Sequence, residues 1–270
     1  MSVLLRNNVK VFGQGKKAMV FAHGFGCDQN MWRFLWPAFE KKYKIVLFDH
    51  VGAGKSDSLA YHSDKYNSLN GYAKDIVEIC EALSINNAIF VGHSVSAMIG
   101  ILAARMDSTL FDELILIGPS PCYINQDDYI GGFNRTDIEG LLDSMDNNYL
   151  GWARAITPVI MANPDHPELA LELGNSFCAT DPDIAQEFAK VTFLSDNRND
   201  LRDCKIPSLI LQCSEDVIAP REVGEYVHSN LSDSTLVILN ATGHCPHLSA
   251  PEETIAAIQL YLETKKELVE

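Results

Sequence analysis

The sequence predicts an α/β fold in which a mostly parallel central sheet carries helices on both faces and a four-helix cap is inserted into the chain. Apolar, strand-like runs alternate with helical segments before residue 120 and again after residue 197. Residues 121–196 contain helical segments and several prolines but no convincing strand. We therefore expect a core built from residues 1–120 and 197–270, with residues 121–196 forming the cap.

The elements of the first core segment follow from two periodicities. Short apolar runs bounded by turn residues predict strands, and apolar positions at helical spacing predict helices. Strands are predicted at residues 9–11, 19–22, 44–48, 88–91 and 113–117, and helices at about residues 30–39, 70–83 and 95–106.

The same reasoning covers the rest of the chain. Cap helices are predicted near residues 137–147, 149–161, 167–178 and 183–194. Strands are then predicted at residues 208–212 and 235–239, and helices near residues 221–230 and 252–266.

Composition narrows the class of function. The 270 residues carry a formal net charge of -15, so neither nucleic acid nor an anionic membrane surface is an expected partner. The seven cysteines form no C-x-x-C pair, which argues against a zinc cage or a disulfide framework and suits a reducing compartment. The N-terminus lacks the apolar core of a signal peptide, and no run approaches the ~18 apolar residues of a membrane span. We predict a cytoplasmic protein that uses neither a metal nor a cofactor.

The most informative stretch is Gly92–Ser96, between a buried strand and a small-residue helix. Such a strand–turn–helix junction is the setting of a nucleophile elbow, which exposes a serine hydroxyl at the end of a sheet. The usual pattern is G-x-S-x-G, and here Ser96 occupies the position of the last glycine. A small residue at that position still lets the helix and the strand approach closely. We therefore predict that Ser94 is a catalytic nucleophile.

A second glycine-containing segment, Gly54–Ser56, invites a nucleotide-binding interpretation. A P-loop needs a glycine five positions before Gly54, and that position holds Asp49. The spacing therefore argues against a nucleotide site.

An activated serine needs a histidine to accept its proton and a carboxylate to orient that histidine. Two loops at the carboxyl ends of predicted strands supply the candidates, in the chain order serine, acid, histidine. The first loop offers Glu215 and Asp216, and we favour Asp216 for its shorter side chain and its distance from the strand. The second offers His244 and His247, and we favour His244 because it follows Gly243 and lies nearer the strand end. Glu215 remains an alternative, as does His247, which could instead be a supporting or surface residue.

The tetrahedral intermediate of such a reaction needs two hydrogen-bond donors for its oxyanion. We expect the backbone N–H groups of Val95, which follows the nucleophile, and of Phe25 in the first glycine loop. His23 precedes that loop and is expected to stabilise it. His93 should point away from Ser94 across the turn and serve in packing.

Taken together, these segments resemble the α/β-hydrolase family with a helical cap, and the resemblance covers nearly the whole chain. It is carried by His23–Gly26, Gly52–Gly54, Gly92–Ser96, Asp216 and Gly243–His244. Within that family, further segments resemble the RsbQ-like regulators of the bacterial general-stress pathway: Phe25–Gln29, Ser120–Tyr123, Gly131–Phe133 and Gly243–His247. Residues 91–100, with Ser96 in place of the glycine, are similar to the strigolactone and karrikin receptors of plants.

The resemblance implies an apolar pocket above the serine, closed by the cap. Matched position by position, its pocket residues would be Phe25, Phe133, Ile156 and Phe193. It also implies hydrolysis of a small apolar ester or lactone-like compound, in a stress-signalling role with a PAS-domain phosphatase as partner. The alternative that it implies is a ligand receptor with slow or single-turnover hydrolysis.

Overall fold

The computed structural model describes residues 1–267, and one seven-stranded sheet lies at the centre of that part of the chain. Its strands are β1 (Lys10–Phe12), β2 (Ala18–Ala22), β3 (Lys44–Leu47), β4 (Ala88–His93), β5 (Phe111–Ile117), β6 (Ser208–Glu215) and β7 (Ser234–Thr242). They lie in the order β1-β3-β2-β4-β5-β6-β7. Every neighbouring pair is parallel except β1 with β3, so the predicted mostly parallel sheet is confirmed.

Helices precede, connect and follow the strands. They are α1 (Val3–Arg6), α2 (Ser63–Tyr66), α3 (Leu69–Ala82), α4 (Val95–Met106), α5 (Arg135–Asn147), α6 (Tyr149–Met161), α7 (Pro167–Ala179), α8 (Pro182–Phe193), α9 (Arg198–Asp203), α10 (Arg221–Asn230), α11 (Pro246–Ser249) and α12 (Pro251–Glu267). The four helices α5–α8 lie between β5 and β6, where the cap is predicted. Residues 268–270, the end of the predicted second core segment, lie outside the described residues.

Apolar side chains are buried on both faces of the sheet. Phe90 of β4 packs with residues of α3 and α4, whereas its neighbours Ile89 and Val91 pack in a second layer with α12. Because successive strand residues point to opposite faces, a strand covered on both sides must be apolar throughout. This explains the continuous apolar runs by which the strands were predicted.

The helix predicted over residues 30–39 is wrong. The structure places two short 3-10 helices there, Gln29–Trp32 and Trp36–Ala38. Pro37 lacks an N–H and disfavours the helical conformation of the residue before it, which favours a break in the helix at this position.

Strands β6 and β7 each extend three residues further at their carboxyl ends than predicted, to Glu215 and Thr242. Glu215 pairs with Thr242 at the carboxyl ends of the two strands. The extension brings the loops that follow, which carry Asp216 and Gly243–His244, to the same edge of the sheet as the end of β4.

Candidate active site

Ser94 occupies the sharp turn between β4 and α4. Its backbone has φ 56° and ψ -125°, a left-handed conformation that is strained for a residue with a side chain. The strain is maintained by the parallel strand on one side and the helix on the other. As a result the Ser94 hydroxyl stands at the carboxyl edge of the sheet, next to the N-terminus of α4, in a nearly buried position.

Ser94, His244 and Asp216 form one chain of hydrogen bonds. The Nε2 atom of His244 lies 2.8 Å from Ser94 Oγ, and its Nδ1 atom lies 2.7 Å from Asp216 Oδ2. Because the carboxylate can only accept, Nδ1 carries the proton and Nε2 is left to accept the hydrogen of the serine hydroxyl. This is the arrangement in which an imidazole can act as a general base toward Ser94.

The orientation of the Asp216 carboxylate is set by the backbone that follows it. Its second oxygen, Oδ1, accepts hydrogen bonds from the N–H groups of Ile218 at 2.8 Å and Ala219 at 3.1 Å. Glu215, the alternative acid, is the last residue of β6 and its side chain is exposed. The structure therefore brings Asp216, and not Glu215, to His244.

The loop that carries His244 is attached to the cap. The His244 N–H donates to the carbonyl of Ile160 at 2.8 Å, and the side-chain amide of Asn163 donates to the carbonyl of Thr242 at 2.9 Å. Gly243, with φ 86°, passes so close to Met161 that a Cβ atom would overlap the Met161 carbonyl. The last turn of α6 and the loop after β7 thus form one joined unit.

Two further histidines lie beneath His244. His247 is fully buried between the rings of Trp32 and His93, with centroid distances of 4.8 and 4.4 Å, so its alternative as a surface residue is wrong. Burial lowers the pKa of His247 to about 3, and the imidazole is therefore neutral at pH 7. His93 Nε2 bonds to the His244 carbonyl at 2.8 Å, which places this side chain under the loop and not on Ser94.

The two predicted oxyanion donors are free to bind a ligand. Within residues 1–267, neither the Phe25 N–H nor the Val95 N–H donates to another protein group. Val95 is the first residue of α4, where backbone N–H groups lack intrahelical acceptors. In the loop before Phe25, His23 Nδ1 bonds to the Gly24 carbonyl at 2.9 Å, and the imidazole is buried.

A cavity of about 150 Å³ opens above Ser94 between the sheet edge and the cap. All four predicted pocket residues line it: Phe25, Phe133, Ile156 and Phe193. The wall also contains residues that sequence reasoning missed, among them Tyr123, Leu141, Trp152, Phe177, Thr192 and Val217. No Lys, Arg, Asp or Glu of the described chain lines this cavity.

Among the missed residues, Tyr123 contacts Ser94. Its hydroxyl lies 3.4 Å from Ser94 Oγ, and its ring packs against Phe193 at a centroid distance of 5.1 Å. Burial raises the pKa of Tyr123 to about 12, so the phenol is neutral and can donate a hydrogen bond. Its place in the predicted Ser120–Tyr123 segment was the only sequence signal for it.

The described residues contain neither a candidate metal cluster nor a candidate membrane-spanning helix. Across residues 1–267, no three His, Cys, Asp or Glu side chains are grouped so that they could hold a metal ion. None of the helices in the same range is long and apolar enough to cross a membrane.

A family model described as "Alpha/beta hydrolase family" matches residues 19–257. The chain belongs to this family. Two curated plant relatives match over 93% of the chain: "Karrikin insensitive 2 receptor IA" of Petunia hybrida, with 39% identity over 92% of its own length, and "Strigolactone esterase D14" of Arabidopsis thaliana, with 38% identity over 94% of its length.

Solved structures agree with this family membership. A hydrolase from Oleispira antarctica is 43% identical, with a TM-score of 0.94 over 97% of this chain and 96% of that one. An esterase from Exiguobacterium antarcticum has a TM-score of 0.87 over 94% of each chain, and at 21% identity it supports the fold alone.

Proposed function

We propose that this protein is a serine hydrolase that cleaves a small, largely apolar ester or lactone-like compound. The observation that carries the proposal is the hydrogen-bonded chain from Ser94 through His244 to Asp216 at the floor of an apolar cavity. Esterase names among the relatives support the same reaction class.

In the proposed reaction His244 Nε2 takes the Ser94 proton while Ser94 Oγ attacks the carbonyl carbon of the ester. The carbonyl oxygen becomes an oxyanion, which the N–H groups of Phe25 and Val95 stabilise. His244 then gives its proton to the departing alkoxide, and the acyl group remains on Ser94. Water repeats the sequence, with His244 again as base, and releases the acid. Asp216 holds the imidazole in the required tautomer and stabilises its positive charge.

The cavity limits the substrate class. Its volume of about 150 Å³ is close to that of an engineered cavity that accepts benzene, so the buried part of the substrate is small. A charged group would lose its hydration without gaining a charged partner in this wall, which disfavours ionic substrates. Polar side chains in the cavity wall include those of Ser94, Tyr123, Thr192 and His244.

The receptor name of the Petunia relative favours a second candidate function. In this alternative the protein senses a small apolar ligand, hydrolyses it slowly or only once, and presents the cap to a protein partner. The sequence resemblance to RsbQ-like regulators suggests a PAS-domain phosphatase as that partner and stress signalling as the context. Arg135 and Glu139, exposed on α5, would lie on the surface that the partner contacts.

Labelling with a fluorophosphonate probe tests the catalytic proposal. We expect a covalent adduct on the peptide that contains Ser94, and Ser94→Ala should abolish the adduct and lower turnover of p-nitrophenyl acetate by several orders of magnitude. Ser58→Ala, at an exposed serine of a 3-10 helix, is the matched control and should leave both unchanged. Labelling that persists in Ser94→Ala would remove Ser94 from the mechanism.

Turnover number and partner binding separate the two candidate functions. Sustained turnover without a partner supports the enzyme, whereas a single burst of product with ligand-dependent binding to a PAS-domain phosphatase supports the sensor. In the second case charge reversal at Arg135 and Glu139 should weaken partner binding and spare ester hydrolysis.

A further inference from the structure

Ser96, which stands where the usual elbow pattern has glycine, is fully buried and makes two hydrogen bonds. Its Oγ donates to the carbonyl of His23 at 2.5 Å and lies 2.8 Å from Nε2 of His50. A hydroxyl has one hydrogen to donate, so His50 Nε2–H must be the donor in the second bond. The serine therefore connects the start of α4 to the loops after β2 and β3.

The remaining bonds of the two histidines agree with this assignment. The backbone N–H of His50 donates to His23 Nε2 at 3.1 Å, so His23 carries its proton on Nδ1, which donates to the Gly24 carbonyl. The His50 ring is held in place by the rings of Tyr72 and Phe188, at centroid distances of 5.6 and 6.0 Å. Burial lowers the pKa of both His23 and His50, which keeps both neutral and suits this bonding pattern.

The position of Ser96 relates this set of bonds to the reaction. Ser96 directly follows Val95, the donor on the helix side, and the carbonyl that it holds belongs to His23, two residues before Phe25, the donor on the loop side. Resting on the proposed serine hydrolase function, we propose that Ser96 is a positioning residue that fixes the spacing of the two oxyanion donors. Its hydroxyl does so by tying the His23–Phe25 loop to the first turn of α4.

Removal of the hydroxyl leaves two buried polar groups without their partner, the His23 carbonyl and His50 Nε2–H. Buried groups in that state move to find other partners or solvent, because an unsatisfied buried donor or acceptor is costly. The His23–Phe25 loop would then shift relative to α4. A displacement of about 1 Å in catalytic geometry can cost on the order of 10²-fold in rate. The variant should lose stabilisation of the transition state, in which the oxyanion forms, and should keep its affinity for the substrate in the ground state.

The test compares Ser96→Ala and Ser96→Gly with wild type, using p-nitrophenyl acetate and a short-chain alkyl trifluoromethyl ketone. The ketone forms a tetrahedral adduct with a serine, so its affinity reports on the oxyanion site. We expect both variants to lower kcat by about 10- to 100-fold and to keep KM within about twofold of the wild-type value. The affinity for the ketone should fall by a factor similar to that for kcat. The pH profile of kcat/KM should not move, because His244 and Asp216 are untouched.

Ser208→Ala is the matched control. Ser208 is also fully buried and donates its hydroxyl to a backbone carbonyl, that of Ile206 at 2.9 Å, but it lies at the amino end of β6. The Ser208→Ala substitution should lower thermal stability about as much as Ser96→Ala does. It should leave kcat and the affinity for the ketone unchanged. Ser96→Thr, which keeps the hydroxyl, should retain most of the activity.

Either of two outcomes would refute the proposal. Wild-type kcat and ketone affinity in both Ser96→Ala and Ser96→Gly would overturn it, as would an equal loss in Ser208→Ala. If Ser96→Ala does not fold, Ser96→Gly, which restores the residue of the usual pattern, decides alone. The activity of Ser94→Ala, measured in parallel, distinguishes failure of the proposed function from failure of the positioning role. Full activity in Ser94→Ala refutes the Ser94 nucleophile on which the proposed function rests, whereas an inactive Ser94→Ala beside fully active Ser96→Ala and Ser96→Gly refutes only the positioning role.

Discussion

Asp216→Asn is expected to reverse the proton arrangement of the candidate triad without changing its shape. In the native protein Asp216 Oδ1 accepts from the N–H groups of Ile218 and Ala219, and Oδ2 accepts from His244 Nδ1. An asparagine must keep its oxygen toward the two backbone donors, because its NH₂ group would face two donors otherwise. The NH₂ group then points at His244 Nδ1 and forces that nitrogen to become the acceptor.

The consequence falls on the other ring nitrogen. With Nδ1 unprotonated, the neutral imidazole carries its hydrogen on Nε2, which faces Ser94 Oγ at 2.8 Å and can no longer accept the hydroxyl proton. A base held in the wrong tautomer costs on the order of 10⁴ in kcat, which corresponds to about 5 kcal/mol. KM should change little, since Asp216 is not part of the cavity wall.

The assay is steady-state hydrolysis of p-nitrophenyl acetate together with the rate of fluorophosphonate labelling. Glu215→Gln, a carboxyl-to-amide change at the preceding exposed residue, is the control and should keep activity within about twofold. Thermal unfolding verifies that both variants fold. An Asp216→Asn enzyme within tenfold of wild type would refute the tautomer argument, and so would an equal loss in Glu215→Gln.

Two further predictions concern stability. Gly243→Ala should lower the free energy of unfolding by about 1–3 kcal/mol or more, because φ is 86° at this residue and a Cβ atom would overlap the Met161 carbonyl. Gly140→Ala is the control, since a Cβ atom there meets no atom within 4 Å, and it should be neutral or mildly stabilising in the same urea titration. The pKa of His247 lies below the ordinary value of 6.5, so the unfolded chain binds this proton first and the free energy of unfolding should fall as pH drops from 7.5 to 5.5, by at most about 1.4 kcal/mol per pH unit for this group. A urea midpoint that stays constant over that range would contradict the second prediction.

The sequence was most informative where one local rule determines the position of a residue. Ser94 follows a buried strand and precedes a small-residue helix, so its place at the sheet edge could be predicted from the nearest ten residues. The choice of Asp216 over Glu215 depended on distance from a strand end that was itself predicted three residues too early. The structure brings Asp216 to His244 because the longer β6 leaves Glu215 in the strand. The assignment of these roles remains a prediction.

Features that depend on contacts across the chain were missed. Tyr123 reaches Ser94 only through the path of the segment between β5 and α5, and no periodicity indicates that path. The polar bonds of Ser96 join segments 46 and 73 residues away, so the missing elbow glycine looked like a weak match and not like a partner for His50 and His23. The burial of His247 depends in the same way on Trp32 and His93.

Because the backbone of His244 is bonded to the Ile160 carbonyl, the cap cannot be exchanged as an independent module. A chimaera that replaced residues 121–196 with a relative's cap would replace the acceptor of the His244 N–H and the Asn163 amide that holds Thr242. Such a graft would change the position of His244 as well as the cavity wall, unless the backbone at the end of the new α6 followed the same path. We therefore expect natural variation to be tolerated more readily at exposed positions of α7 and α8 that lie outside the cavity wall than in the last turn of α6.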